Sequence, residues 1–245
     1  MNKTAIIIPS RLEAERLPNK PLELINNKEM ILHVYEAAKK TNTGEVYVAT
    51  PDQKIIDLIK DSGGKVVRTS FDHQTGTDRI YEVFKNELES KPNIIVNLQG
   101  DMPNIDPKDI TNLVSYMNTG KCDIGTLASS FNSREEMEDE NNVKVTLNDE
   151  LKDNQFSLAT DFFRKNTKKY KNFYHHVGIY AFTNQALVRY VSLKRSKLEL
   201  ERKLEQLRAL ENSMTIHVGY INSSPLSVDT KNDLREVRKI METNE

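Results

Sequence analysis

From Thr4 to Leu98 the chain repeats one pattern, a short β-branched or apolar run followed by apolar residues at helical spacing. Thr4–Ile8, Val46–Ala49, Lys65–Arg68 and Ile94–Leu98 read as strands, and the last is the near-continuous apolar kind buried on both faces. Between them, Met30, Ile31, Val34, Tyr35 and Ala38 form one helical stripe. Ile55, Ile56, Leu58 and Ile59 form a second, stopped by Gly63-Gly64, and Ile80, Val83, Phe84 and Leu88 a third. Repeated β-α-β-α order predicts an α/β fold, a mostly parallel sheet flanked by helices with right-handed crossovers. In such sheets ligands bind beyond the carboxyl ends of the strands, so the loops there are where chemistry is expected.

After about residue 120 the pattern changes. Asp123–Phe131, Val143–Leu147 and Tyr174–Phe182 read as longer, more antiparallel strands, and Met214–Tyr220 as a further strand. Ser133–Asn142 carries five acidic side chains and Arg134, and reads as a solvated loop or short exposed helix. Lys197–Glu211 reads as one helix with Leu200, Leu204 and Leu207 on a stripe, and Asp233–Glu242 as a terminal amphipathic helix. With no internal repeat and no Pro- or Gly-rich linker, the expectation is one domain over residues 1–245. Its more antiparallel insertion, about 121–195, is a candidate dimerisation subregion.

A net charge of −1 gives no broad basic field for nucleic acid or anionic membrane, so any phosphate site must be local. The one cysteine, Cys122, reads as a small core residue. The apolar run Ala5–Ile8 is cut by Pro9 and Arg11, and no stretch is long enough to span a bilayer, so a reducing cytoplasmic setting is expected.

Six segments carry candidate chemistry, each with a plainer alternative. The loop from Pro9 to Leu22 follows the first strand and holds Ser10, Arg11, Arg16 and Lys20. Guanidinium forks and a lysine there suit a triphosphate, although neither a Walker A nor a dinucleotide glycine motif is present. The alternative is a solvated polar loop. In the segment Asp72–Arg79, Thr77 reads as a helix N-cap and Gly76 as a point of close backbone approach, while an ordinary capped turn is the alternative. The run Val96-Asn97-Leu98-Gln99-Gly100-Asp101 delivers a carboxylate to a strand end, where it can hold Mg²⁺ against phosphates. Asp229 could supply a second carboxylate, or simply cap the last helix. His176 and Tyr180 share a strand face by alternation, with His175 pointing away; zinc is not expected there. Glu205 and Gln206 flank the Leu204/Leu207 stripe and could meet a polyhydroxylated ligand, or form a solvated helix face.

Taken in order, the runs IIIPSR…RLPNKPL, VATPD, GGKV, DHQTGTDR, IVNLQGDMP, NVKV, HHVGIYAF, LEQLRALE and SVDTKNDL resemble the 3-deoxy-manno-octulosonate (Kdo) cytidylyltransferases, or CMP-Kdo synthetases. The resemblance covers nearly the whole chain. It implies a nucleotide-diphospho-sugar-transferase type fold, a homodimer, and transfer of CMP from CTP to Kdo for lipopolysaccharide synthesis. Carried over by motif, Arg11, Lys20 and Asp101 would be catalytic. Ser10, Arg11, Lys20, Gln74, Thr75, Gly76, Thr77, Arg79 and Gln99 would bind nucleotide. Asp101 and Asp229 would ligate Mg²⁺, and His176, Tyr180, Glu205 and Gln206 would line the sugar-acid pocket. Two departures stand out. Met102 replaces the glutamate of Gly-Asp-Glu-Pro, and Leu158 stands where the family has an arginine, with Arg164 or Lys165 as candidates to offset it. A related acceptor (8-amino-Kdo or a sialic-acid-like sugar) and a catalytically weak CTP-binding protein are the alternative readings.

Overall fold

The structure, a computed structural model, describes residues 3–14, 16–88, 91–153, 155–166 and 170–243. Glu15, in the first candidate loop, lies outside the described residues. Strand β1 (Thr4–Pro9) leads through a loop and a 3₁₀ turn (Lys20–Leu22) to a small hairpin, β2 (Leu24–Ile25) and β3 (Lys28–Glu29). There follow α1 (Met30–Lys40), β4 (Glu45–Thr50), α2 (Gln53–Asp61), β5 (Lys65–Arg68), α3 (Gly76–Asn86), β6 (Ile94–Asn97) and α4 (Pro107–Met117). The chain continues with β7 (Ile124–Ser129), α5 (Arg134–Glu138), β8 (Lys144–Leu147), β9 (Phe156–Phe163) and β10 (Tyr174–Thr183). It ends with α6 (Asn184–Ser192), α7 (Lys197–Arg202), α8 (Leu207–Glu211), β11 (Ile216–Tyr220) and α9 (Lys231–Glu242).

Two compact units emerge, Met1–Thr111 with Pro225–Glu245, and Asn112–Ser224. The stretch read from sequence as an insertion lies inside the second. In the first unit four strands run parallel in the order β5-β4-β1-β6. β1 is flanked on both edges, Ile6 pairing with Val46 and with Val96, and Ile6, Ile7 and Ile8 are fully buried. Burial on both faces is what an unbroken isoleucine run encodes, and each such side chain contributes about 1.5–3 kcal/mol. The returning helix α9 lays Leu234 and Val237 against Leu17, Ile25, Met30 and Val228. That cluster binds the C-terminal segment to the first loop and hairpin.

In the second unit five strands follow the order β10-β7-β11-β9-β8, and β8 also pairs with β10, so the ring closes. β7 and β11 are parallel and the other pairings antiparallel, the change of character expected past residue 120. Sequence periodicity gives no sign of β9. Its eight residues include Ser157, Thr160 and Asp161, and Asp161 is buried through its pairing with Arg202 (2.7 Å) and Tyr170 (2.8 Å).

The single helix expected over Lys197–Glu211 is two short ones. Lys203 adopts a left-handed conformation (φ 54°) and ends α7, and Leu200 is 52% exposed rather than part of a buried stripe. A charge network fixes the bend. Glu199 is fully buried and accepts from Arg208 Nη2 at 2.6 Å and Nε at 2.8 Å, from Arg195 Nε at 2.9 Å and from the Ser196 N–H at 3.1 Å. Burial pushes its carboxyl up, but these donors outweigh that and hold it below its ordinary value. Removing the carboxylate takes its charged partner from Arg208, which is itself buried and also lies over the Tyr190 ring. Glu199→Ala is therefore expected to destabilise the protein by about 3–5 kcal/mol in urea unfolding, and a loss under ~1 kcal/mol would rule out this network as the source of the bend.

Candidate active site

The site is assembled from loops at the carboxyl ends of β1 and β6 and from the segment before α9. Leaving β1, Ser10 still donates its N–H to Ala49 (2.9 Å), and the Asp52 carboxylate takes the Leu12 N–H (2.8 Å). Asn19, in the left-handed region at φ 59°, turns its N–H back to Leu12 (3.1 Å). Asparagine tolerates that region better than most residues. The short turn Lys20–Leu22 follows, with Pro21 buried directly after Lys20.

Lys20 meets both aspartates. Its Nζ lies 2.9 Å from Asp101 Oδ2 and 3.0 Å from Asp229 Oδ1, and Arg16 Nη2 reaches the other oxygen of Asp229 at 2.9 Å. The two carboxylates are brought together by backbone, since the Val228 N–H donates to the Asp101 carbonyl at 2.9 Å and Val228 is anchored in the α9 cluster. Asp229 is not the helix cap. Thr230 and Asp233 form a reciprocal capping box, and Asp233 also accepts the Asp229 N–H (2.9 Å), so the Asp229 carboxylate is spared for Lys20 and Arg16. Burial pushes the Lys20 amine down, yet Asp101 and Asp229 more than compensate and its pKa is raised. Burial raises the Asp229 carboxyl, and Lys20 and then Arg16 reverse this to hold it low.

Beside this contact lies a cavity of about 320 Å³, lined among others by Ser10, Arg11, Lys20, Gln74, Thr75, Gly76, Arg79, Gln99 and Asp101. Nearly all the proposed nucleotide residues are thus gathered around one space. Thr77 is the exception. The N-cap of α3 is Thr75, which accepts the Asp78 N–H at 3.1 Å, whereas Thr77 is buried and accepts from Asn97 Nδ2 (3.3 Å). Asn97 in turn accepts from Gln99 Nε2 (3.2 Å), which orients the Gln99 side chain. Gly76 matters by its size, because a Cβ there would sit 3.3 Å from Pro9 Cγ. Ser10 Oγ is buried without a hydrogen-bond partner among the described residues. Arg79 donates to the Ser70 carbonyl (2.9 Å) and to Thr69; burial first, and Arg11 second, depress its pKa. Glu82 and Asp52 offset part of that effect, and with Arg11, Lys20 and Arg79 all in its lining the cavity suits a polyphosphate. His73 also lines the cavity and contacts Glu82 at 2.5 Å. No spacing pattern in the sequence marks it, because that contact forms only when the loop packs against α3.

In the second unit, His176 and Tyr180 do share a face, with ring centroids 5.5 Å apart. β10 bulges between Val177 and Tyr180, where three steps oppose the single step from Leu127 to Thr126. Two extra residues preserve the alternation, so the parity argument survives the irregularity. Thr126 Oγ1 lies 2.7 Å from the Ile179 carbonyl within the bulge and 3.0 Å from His176 Nε2. Both rings are buried. Burial, then Glu205, then Tyr190 push the Tyr180 hydroxyl well up. Glu205 and Gln206 lie in the connection before α8 rather than on a helix face, and Tyr190 donates to the Glu205 carbonyl at 2.8 Å. Cys122 is buried beside Met117, its thiol pushed to about 11 by burial, which keeps it inert.

The family model described as Cytidylyltransferase matches residues 5–216. A 3-deoxy-manno-octulosonate cytidylyltransferase of Bartonella tribocorum is 41% identical over 239 residues, 96% of this chain and 97% of that protein. Its counterpart in Rickettsia felis is 41% identical over 97% of this chain and 95% of that protein. A solved structure described as CMP:2-keto-3-deoxy-manno-octonic acid synthetase complexed with CTP superposes with a TM-score of 0.89. It is 34% identical and covers 99% of this chain and 100% of that one. This chain belongs to the 3-deoxy-manno-octulosonate cytidylyltransferase family.

Within that family, Leu158 is a half-buried residue of β9 paired with His217 of β11. Both residues expected to offset it are engaged in local contacts. Arg164 donates to the Glu140 (3.2 Å) and Asn141 (2.5 Å) carbonyls, and Lys165 pairs with the Glu140 carboxylate at 3.2 Å. Among the described residues, no helix is long and apolar enough to cross a membrane.

Burial, with His175 close by, pushes the His176 imidazole down to about 3 from an ordinary 6.5. Between those values the unfolded chain binds a proton that the folded chain does not, so stability falls as pH falls. The contribution of His176 to that loss is about 2 kcal/mol between pH ~6.5 and ~5. His176→Gln is expected to show a shallower decline of the urea midpoint over this range. An unchanged slope would mean that His176 is not held neutral.

Proposed function

We propose that this chain transfers CMP from CTP to 3-deoxy-manno-octulosonate, releasing CMP-Kdo and pyrophosphate for lipopolysaccharide synthesis. One observation carries the reading, the convergence of Arg11, Lys20, Arg79 and Asp101 on a single cavity at the ends of parallel strands, with Asp229 in contact with Lys20. The anomeric hydroxyl of the sugar acid attacks the α-phosphorus, and the bond to the departing pyrophosphate breaks. Arg11, Arg79 and Lys20 neutralise the phosphate oxygens and hold the leaving group in line, and Ser10 Oγ and Gln99 are placed to donate or accept. No enzyme nucleophile is required.

Asp101 and Asp229 would hold Mg²⁺. Their donor set fits, because two carboxylates already converge on one cationic group, and Mg²⁺ is usually held by one or two carboxylates plus substrate phosphates. When bound, the ion supplies charge neutralisation at the polyphosphate. We assign the sugar acid to His176, Tyr180, Glu205 and Gln206, where the buried neutral His176, Tyr180 and Gln206 suit hydroxyl groups and Glu205 adds a half-buried carboxyl acceptor. A homodimer working in the cytoplasm, where CTP is made, completes the reading, with family membership as its support.

A second acceptor reading is favoured by Leu158. With an aliphatic side chain in place of an arginine, the site would select a related sugar acid. Pyrophosphate release from CTP and Mg²⁺ with a panel of sugar acids separates the two. Turnover is expected with Kdo, and turnover only with another acid assigns that acid instead. Asp101→Asn is expected to stay folded and lower kcat at least ~100-fold; near-normal turnover would refute the metal assignment.

A further inference from the structure

We propose that Lys20 makes cation binding at Asp101 and Asp229 conditional on nucleotide. The inference rests on the reading that these two aspartates are metal ligands. Lys20 touches one oxygen of each, at 2.9 and 3.0 Å, and its side chain is only 16% exposed. The ammonium group thus occupies the place between the carboxylates where a divalent cation would be held. A second cation cannot share it, since two like charges at contact distance repel strongly in a partly desolvated site. Arg16 does not replace Lys20, because it holds the other oxygen of Asp229 and is 56% exposed.

Lys20 also lines the cavity with Arg11, His73 and Arg79. Its stem is long and flexible, and its three donors reorient freely, so it can turn from the carboxylates to a phosphate in the same space. A polyphosphate then does two things at once. It gives Lys20 another anion, and it exposes both carboxylates to the cation. Without nucleotide, Lys20 protects the aspartate pair from bare divalent ions. It also keeps their geometry fixed, which two unpaired neighbouring carboxylates would not do. Linkage makes the effect reciprocal, so the cation strengthens nucleotide binding by the same factor by which nucleotide strengthens cation binding.

The test is equilibrium Mn²⁺ binding, read by electron paramagnetic resonance of the unbound ion, with thermal unfolding of each variant as a control for folding. Without nucleotide, Lys20→Met is expected to bind Mn²⁺ at least ~10-fold more tightly than the wild type, and Lys20→Arg to resemble the wild type. Lys20→Gln serves as the neutral variant should Lys20→Met not fold. With CTP, which chelates Mn²⁺ itself, protein-retained Mn²⁺ is taken as the excess over a CTP-only control; it is expected to rise for the wild type, and Asp101→Asn to abolish the rise. Equal Mn²⁺ affinity of the wild type and the neutral variant overturns the role of Lys20 while leaving the ligands intact. Unchanged retention by Asp101→Asn with CTP overturns the metal-ligand reading, and the role of Lys20 with it.

Discussion

The ammonium of Lys20, shared between Asp101 and Asp229, is the contact on which the candidate site depends. It joins three loops that are remote in sequence, Lys20 lying 81 residues from one aspartate and 209 from the other. A partly exposed ion pair contributes little on its own, so it cannot be what assembles those loops. The assembly comes from apolar packing underneath. Val228, Leu234 and Val237 are buried against Leu17, Ile25 and Met30, and the Val228 N–H is spent on the Asp101 carbonyl. Packing sets the backbone positions, and the charges then sit where packing has put them.

Electrostatic imbalance around the cavity follows from the same arrangement. Asp101 and Asp229 are matched by Lys20 and Arg16, whereas Arg79 is depressed in pKa by burial and by the charge of Arg11, with Glu82 and Asp52 offsetting part of it. A net charge of −1 over the whole chain hides this local excess. Composition therefore argued only against broad polyanion binding and could not reveal the site.

Much of the first unit was legible because its signals are local. Buried parallel strands favour apolar, β-branched runs, which β1 and β6 have; β4 is buried over most of its length, the edge strand β5 offers only half-buried Val66 and Val67, and all four lie at nearly the expected bounds. Lys20, Asp101 and Asp229 could be picked out as charged residues just past strands or before a helix, and the cavity gathers most of the residues named with them. What failed depended on long-range partners. β9 was invisible because Asp161 is buried by Arg202 and Tyr170. The break at Lys203 was invisible because the leucines at 200, 204 and 207 mimic a helical stripe, while the buried Glu199–Arg208 pair decides the backbone. Thr75 rather than Thr77 caps α3 because Thr77 is taken up by Asn97, a contact across 20 residues.

The two units carry different kinds of polarity. The first gathers full charges around an open cavity. In the second, the residues assigned to the sugar acid include an imidazole kept neutral and a phenol kept protonated, and the fully buried Glu199 is consumed by arginines. Charge suits a triphosphate, whose oxygens present the same demand whatever is joined to them. Neutral donors and acceptors suit a polyol, because a hydroxyl in the wrong place leaves a buried polar group unmatched and is rejected on that ground. Lys20, Asp101 and Asp229 belong to the first unit, and Leu158 to β9 of the second, so under the proposed assignment a change of acceptor need not touch the charged machinery around Lys20.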